Sequence, residues 1–268
     1  MIIAQISDTH LTLDTPDADQ RMGDFALTIA DINALDPPPD AIVHTGDIVH
    51  NGRQDEYAHA AGILAKACAP AYVLGGNRDE RANLRAAFSA DGYLAPGSRF
   101  LDYAVDDHPV RLIVLDTISS GGNKGDFCPE RVRRFIDLID ADTTRPIAVF
   151  THHPPFEVLV GPDRLHFETA EALSRLRSAL QHSKQVIAVF SGHVHRAAEG
   201  HVGSIPATVV QCIATTLRKG QYPPRMKQRP VYYIHRFDPL WGFTTETRIV
   251  EPRPSVPGQI GREFHSAI

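Results

Sequence analysis

Apolar and polar positions follow two rhythms along this chain. MIIAQI at 1–6, AIVHT at 41–45 and PAYVL at 70–74 are short, nearly unbroken apolar runs. That is the pattern of strands buried on both faces. Between them, DFALTIADINA at 24–34 and RQDEYAHAAGILAKA at 53–67 place apolar residues at helical spacing. PPPD at 37–40 stops the chain before the second strand, and ERANLRAAF at 80–88 is helix-like again. This βαβαβ order predicts parallel strands with helices packed on the sheet faces. RLIVLD, PIAVF and QVIAVF predict further buried strands, and PERVRRFIDLI and FETAEALSRLRSAL predict helices, the first opened by Pro129. ATVVQCIA, VYYIHRF and GFTTETRIV follow with little helix between them, which predicts antiparallel pairing. The last stretch, EPRPSVPGQIGREFHSAI, is rich in Pro and Gly and predicts an extended tail over 251–268. No linker divides residues 1–250, so they are expected to form one domain.

Composition narrows the function classes. A chain of 268 residues fits a single α/β unit with a sizeable core. A net charge of −5 argues against a broad surface for a nucleic-acid polymer. No apolar run approaches the roughly 20 residues of a membrane helix. The chain opens directly on a strand, with no basic leader or cleavage signal, so neither export nor membrane insertion is expected and the location is read as cytoplasmic. Cys68, Cys128 and Cys212 are far apart and odd in number, which fits buried or half-buried thiols rather than a disulfide framework. The 14 histidines are the unusual feature.

Many of them follow strands. MIIAQI is followed by Asp8 and His10, AIVHT by Asp47, PAYVL by Asn77, PIAVF by His152 and His153, and QVIAVF by His193 and His195. The carboxyl edge of an α/β sheet is where ligands bind. Taken singly, each residue has an ordinary explanation: a cap, a turn residue or a hydrogen-bonded histidine. Five strands delivering oxygen or nitrogen donors to one edge point instead to a metal site. In an extended chain, residues two apart share a side, so Asp8 with His10 and His193 with His195 could each face one centre. Glycines before Asp47, Asn77 and His193 would let the backbone turn tightly.

The series D-x-H, GD, GN, H, GHxH resembles the signature of the calcineurin-like metallophosphoesterases. GDIVHNG, THHPP and SGHVH look most like the bacterial class III cyclic-nucleotide phosphodiesterases and the related glycerophosphodiesterases. The resemblance runs from Asp8 to His195. It implies a four-layer αββα sandwich of two mixed β-sheets flanked by helices, with 1–250 as the metallophosphoesterase domain. It also implies two divalent metal ions: one held by Asp8, His10 and His195, the other by Asn77, His152 and His193, with Asp47 bridging. Nitrogen and oxygen ligands without thiolate suit Mn, Fe, Zn or Co. The implied reaction is hydrolysis of a small phosphodiester, a cyclic nucleotide or a glycerophosphodiester, by a metal-bridging hydroxide. A phosphomonoesterase acting on a nucleotide or sugar phosphate is the second expectation, and a non-catalytic phosphate-binding scaffold the third.

One position departs from the family pattern. The residue after the ligand Asn is usually His in that family, and the resemblance implies that it contacts the phosphate and protonates the leaving oxygen. Here it is Arg78. An arginine stays charged and is a poor acid, but its planar fork grips phosphate oxygens. Arg78 is therefore expected to act with Asp47 and Asn77 as a catalytic residue, clamping phosphate. The competing reading is a surface ion pair with Asp79 or Glu80. Asp79 is expected to orient a neighbouring ligand. His50 and His153 are the candidates for a replacement acid, although a supporting role fits each better. The other histidines, at 44, 59, 108, 166, 182, 201, 235 and 265, read as structural or surface residues. The stretches 121–127 and 158–167 are expected to form the substrate rim. The basic stretch 217–230 reads first as a solvated loop, then as a dimer contact in a homo-oligomer or a second substrate wall.

Overall fold

The first three apolar runs become parallel neighbours. They are β1 (Ile2–Ile6), β2 (Ala41–His44) and β3 (Ala71–Val73), connected through α1 (Ala18–Ile32) and α2 (Gln54–Leu64). The computed structural model describes residues 1–160 and 164–251. After α3 (Arg81–Ala87), the chain builds a second sheet from β4 (Tyr103–Val105), β5 (Arg111–Val114), β6 (Ile147–Phe150), β7 (Val186–Ser191), β8 (Ala198–Val202) and β9 (Ile205–Val209). Helices α4 (Pro129–Asp140) and α5 (Ala170–Leu180) separate its central strands. The chain then returns to the first sheet with β10 (Val231–Asp238) and β11 (Gly242–Ile249). The orders are β11-β10-β1-β2-β3 and β4-β5-β6-β7-β9-β8, so both sheets are mixed.

Period-two alternation in the second sheet explains the layers. Leu112, Val114, Ala148, Phe150, Ala188 and Phe190 pack with residues of the first sheet. Their chain neighbours Ile113, Leu115, Ile147, Val149 and Val189 pack with Phe135, Ile139, Leu173 and Leu176 of α4 and α5. Each strand thus buries one face against the other sheet and one against helices, giving the expected αββα sandwich. That double burial is why these strands read as continuous apolar runs.

Some elements differ from expectation. Helix α1 begins at Ala18, earlier than its apolar pattern starts. Its first turns are polar and held by pairs such as Arg21 with Asp17 at 2.8 Å and Gln20 with Asp24 at 2.7 Å. The short β4 and β8 are sheet edges that the apolar runs do not mark. β9 lies parallel to β7 and antiparallel to β8, so the wholly antiparallel ending holds only for β10 and β11. The expected tail, after Glu251, falls outside the described residues.

A buried charge network fixes α3 to the second sheet. Asp116 is fully buried beyond β5 and accepts two hydrogen bonds from Arg81, at 2.6 and 2.9 Å. It also accepts from the backbone N–H groups of Leu101 and Ile118. Arg81 opens the helix that follows Asn77 and Arg78, so this pair anchors their loop. Arg81 is half-buried, but Asp116 also faces the buried Arg131 at 3.6 Å, so removing the carboxylate leaves a buried charge less compensated. Asp116→Ala is expected to cost about 3–5 kcal/mol in urea unfolding. A loss within experimental error would show that the network is dispensable.

Candidate metal centre

The carboxyl ends of β1, β2, β3, β6 and β7 meet where the two sheets face each other. The backbone there is unusual. Among the described residues, the non-glycine residues with positive φ are Asp8 (53°), His10 (42°), Asp47 (51°), His193 (74°) and His195 (57°). Side chains other than glycine rarely adopt this left-handed region, and such conformations cost about 1–3 kcal/mol each. The D-x-H and H-x-H pairs therefore do not converge as extended segments. Each ligand residue instead sits on its own left-handed turn. The glycines also act differently from expectation. Gly46 does turn, at φ 92°, but Gly76 and Gly192 matter for closeness. A Cβ at Gly76 would run into the Asp47 carboxylate, and one at Gly192 into the Ser7 hydroxyl.

All seven predicted metal ligands come together. His10 Nε2 lies 3.0 Å from His195 Nε2 and 3.4 Å from Asp47 Oδ2. His195 Nε2 lies 3.3 Å from Asp8 Oδ1. On the other side, Asn77 Oδ1 lies 3.2 Å from His152 Nε2 and 3.0 Å from His193 Nδ1. His152 Nε2 is 3.5 Å from Asp47 Oδ1, so the two Asp47 oxygens face different clusters. Asp8, Asp47, His10 and His152 are buried.

The donor set tests whether cations fit. His195 Nδ1 donates to the Leu217 carbonyl at 3.0 Å, and His152 Nδ1 to the Thr45 carbonyl at 2.8 Å. In the neutral rings each Nε2 then carries a lone pair aimed into the cluster. Those lone pairs face carboxylate and amide oxygens, acceptor against acceptor. Asp8 Oδ1 is buried with no hydrogen-bond partner. Burial, followed by the charge of His195, pushes His10 well below the usual histidine range. Burial, followed by His153, does the same to His193. His195 moves up despite its burial, because the Asp8 carboxylate faces it. Buried neutral imidazoles and unpartnered carboxylate oxygen are what divalent cations require. The residues therefore fit two metal ions.

A model of the calcineurin-like phosphoesterases matches residues 1–197. The chain belongs to this family. It is 28% identical over 258 residues to a probable glycerophosphodiester phosphodiesterase, GpdQ, of Arcobacter nitrofigilis, covering 93% of each chain. It is also 28% identical over 226 residues to a cAMP/cGMP dual specificity phosphodiesterase of Mycobacterium tuberculosis, covering 80% of this chain and 68% of that one. Its fold resembles that of a dimetal phosphatase from Danio rerio, with TM-score 0.68, 14% identity and coverage of 94% and 99%.

Asp79 supports this family site from behind. Its carboxylate accepts from the N–H groups of Gly76 (2.8 Å), Ile48 (3.2 Å) and Val49 (3.4 Å) and from the Tyr57 hydroxyl (2.8 Å). It thereby ties the Asp47 loop to the Asn77 loop. Burial, and then the charge of Asp47, raise its pKa. Arg78 is exposed, and its backbone N–H donates to Asp47 Oδ1 at 2.7 Å. Its guanidinium makes no ion pair or hydrogen bond among the described residues. Asp79 is engaged as above, and Glu80 caps α3 through the Asn83 N–H. The surface-pair reading of Arg78 is thus not what the structure shows.

The two candidate acids are placed differently. His153 is buried, with Nδ1 on the Thr117 hydroxyl at 2.8 Å and Nε2 on the Asn123 carbonyl at 3.3 Å. Both ring nitrogens are occupied. His50 lies edge-on to His10 at 5.7 Å. Burial, then Arg21 and Arg78, lower its pKa, so it is held neutral. His166, read as structural from sequence, packs edge-on to His193 at 5.2 Å. No spacing rule marks it; only its place in the rim stretch 158–167 hinted at this. The basic stretch also reaches the site, since the Lys219 N–H donates to the His195 carbonyl at 3.0 Å.

Asp79 meets only donors, so an amide in its place would turn its own N–H groups against some of them. Changes to groups that orient metal ligands cost roughly 10–100-fold in metal affinity. Asp79→Asn is expected to show a loss of that size in chelator-competition titrations while its circular dichroism stays native. Wild-type affinity would refute the supporting role.

Proposed function

We propose that this protein is a binuclear-metal phosphodiesterase acting on a small phosphodiester. One observation carries the reading: six acceptor side chains converge around Asp47, whose two oxygens face separate clusters. Asp8, His10 and His195 would hold one cation and Asn77, His152 and His193 the other, with Asp47 shared. When bound, divalent cations supply Lewis-acid polarisation of phosphoryl oxygens and lower the pKa of a water. The two carboxylates, Asp8 and Asp47, leave such a centre positive and suited to an anion. The names of the relatives support a diester, either a glycerophosphodiester or a cyclic nucleotide.

Arg78 gives this chain its own character. Its exposed guanidinium stands next to Asn77 and is unspent on protein partners among the described residues. It clamps non-bridging phosphate oxygens and stabilises charge as it develops. It does not release a proton. With both ring nitrogens of His153 engaged and the pKa of His50 lowered, neither of these two candidates takes over as leaving-group acid. The rate therefore depends steeply on the leaving group's own pKa.

Manganese-reconstituted protein is expected to hydrolyse bis(p-nitrophenyl) phosphate in preference to p-nitrophenyl phosphate. Preference for the monoester would move the reading to a phosphomonoesterase. Arg78→Ala is expected to lower kcat/KM on the diester roughly 10²-fold, as loss of one stabilising donor does. Arg78→His should restore turnover most for esters with poor leaving groups. Wild-type kinetics in Arg78→Ala would remove the clamp from the mechanism.

A further inference from the structure

The ligands proposed for one cation, Asp8, His10 and His195, share a support. His195 is held by a hydrogen bond from its Nδ1 to the Leu217 carbonyl, at 3.0 Å. Leu217 closes the short turn Thr215–Leu217, and two carboxylates pin that turn to helix α1. Asp24, buried in α1, accepts through Oδ2 from the Thr215 N–H at 2.8 Å and from the Thr215 hydroxyl at 2.7 Å. Asp17, just before α1, accepts from the Thr216 hydroxyl at 2.5 Å. We propose that Asp24 is a positioning residue for His195, and that it thereby sets the affinity of the metal site formed by Asp8, His10 and His195. The inference rests on the binuclear reading above and deepens it, because it separates what governs one cation from what governs the other.

The same helix reaches His10. Arg21, buried and paired with Asp17 at 2.8 Å, donates from Nη1 to the His10 carbonyl at 3.3 Å. The residue that enters the turn reaches Asp8, since the Ala214 N–H donates to the Asp8 carbonyl at 3.3 Å. Asp8, His10 and His195 are thus each tied to α1 or to the turn that α1 holds. The other cluster is held elsewhere: His152 is fixed on the Thr45 carbonyl, and the Asn77 loop on Asp79.

Asp24 is the residue that commits α1 to this task. It lies 191 residues from Thr215 along the chain, so the contact exists only in the folded protein. Burying a carboxylate is costly unless donors meet it, and an apolar residue would pack the helix without that cost. Asp24 is met by three donors, the two of Thr215 and the Gln20 amide at 2.7 Å. What they achieve is direction. With the turn held, the Leu217 carbonyl points at His195 Nδ1, and a ring fixed at Nδ1 aims its Nε2 one way. With the turn released, the ring can rotate and Nε2 leaves the cation. Asparagine at 24 would keep the grip, because its oxygen accepts both Thr215 donors and the exposed Gln20 can turn its amide to meet the new N–H.

Manganese titration read by water-proton relaxation follows the two binding steps without turnover. Asp24→Ala is expected to weaken one step roughly 10–100-fold and leave the other at its wild-type value. Asp24→Asn should restore the weakened step. Thr215→Val, at a half-buried position, removes only the hydroxyl bond and should weaken the same step by less. In His195→Ala protein, Asp24→Ala should add little, because the two residues act in series. Nuclear magnetic resonance of metal-free protein with isotope-labelled histidine gives a second readout. The His195 Nδ1 proton should lose its protection from exchange in Asp24→Ala, while the His152 Nδ1 proton keeps its own. Both steps intact in Asp24→Ala and Thr215→Val, both steps weakened alike, or an unchanged His195 Nδ1 proton would each overturn the proposal. Wild-type protein that binds fewer than two manganese ions, with the His195 proton responding as expected, would sink the binuclear reading and leave the positioning role of Asp24 standing.

Discussion

Lone pairs facing lone pairs are the constraint on which this molecule is built. With their Nδ1 atoms bonded to backbone carbonyls, the Nε2 atoms of His152 and His195 point at the oxygens of Asn77, Asp47 and Asp8. Left alone, such a set repels itself. It also sits on five left-handed turns that ordinary side chains avoid. Both costs become sensible if cations occupy the space between the acceptors, because their attraction offsets the repulsion and the strain together. The surrounding fold has to hold the geometry firmly enough that it does not relax when a cation leaves.

That firmness comes from polar groups placed between the sheets. Gln5, at the centre of β1, is fully buried and donates to the Thr45 hydroxyl and the Ser191 carbonyl. Its oxygen lies 3.0 Å from His235 Nε2. Ser191 and Thr151 share a hydroxyl contact at 2.9 Å. His152, from the second sheet, donates to Thr45 of the first, and the His193 N–H donates to the Asp8 carboxylate. A purely apolar interface could slide by small steps at little cost. Paired buried polar atoms such as these resist sliding, because a shift strands donors and acceptors in a dry interior. The metal ligands on opposite sheets inherit that registration.

How much of this was legible in the sequence depended on whether the cause was local. The double burial of β5, β6 and β7 left an unbroken apolar run in each, so the strands could be read. The residues after each strand could then be placed at one edge, and the resemblance supplied which acceptors share a cation. The left-handed turns were not legible, because nothing in Asp8 or His10 as residue types announces positive φ. Asp79 could be suspected as a support. Its actual work, collecting N–H groups from Ile48, Val49 and Gly76, depends on two loops meeting in space. Lys124, His166 and Lys219 come from three stretches noted for the rim or for basic character, and their meeting at His193 is a tertiary fact. Strand β8 escaped because it is mostly exposed and polar, and β4 because its apolar run is only three residues long.

Arg78 shows how a single exchange can keep a site and change its demands. A histidine beside Asn77 could alternate between gripping an oxygen and giving up a proton. A guanidinium does only the first, but does it at every physiological pH and with two parallel donors. The surrounding residues agree with that division. Burial first, then the charges of Arg21 and Arg78, lower the pKa of His50. A site arranged in this way favours anions and leaves departure to the chemistry of the leaving group. On the proposed reading, binding of charge, more than transfer of protons, is then the means by which such a site would distinguish one ester from another.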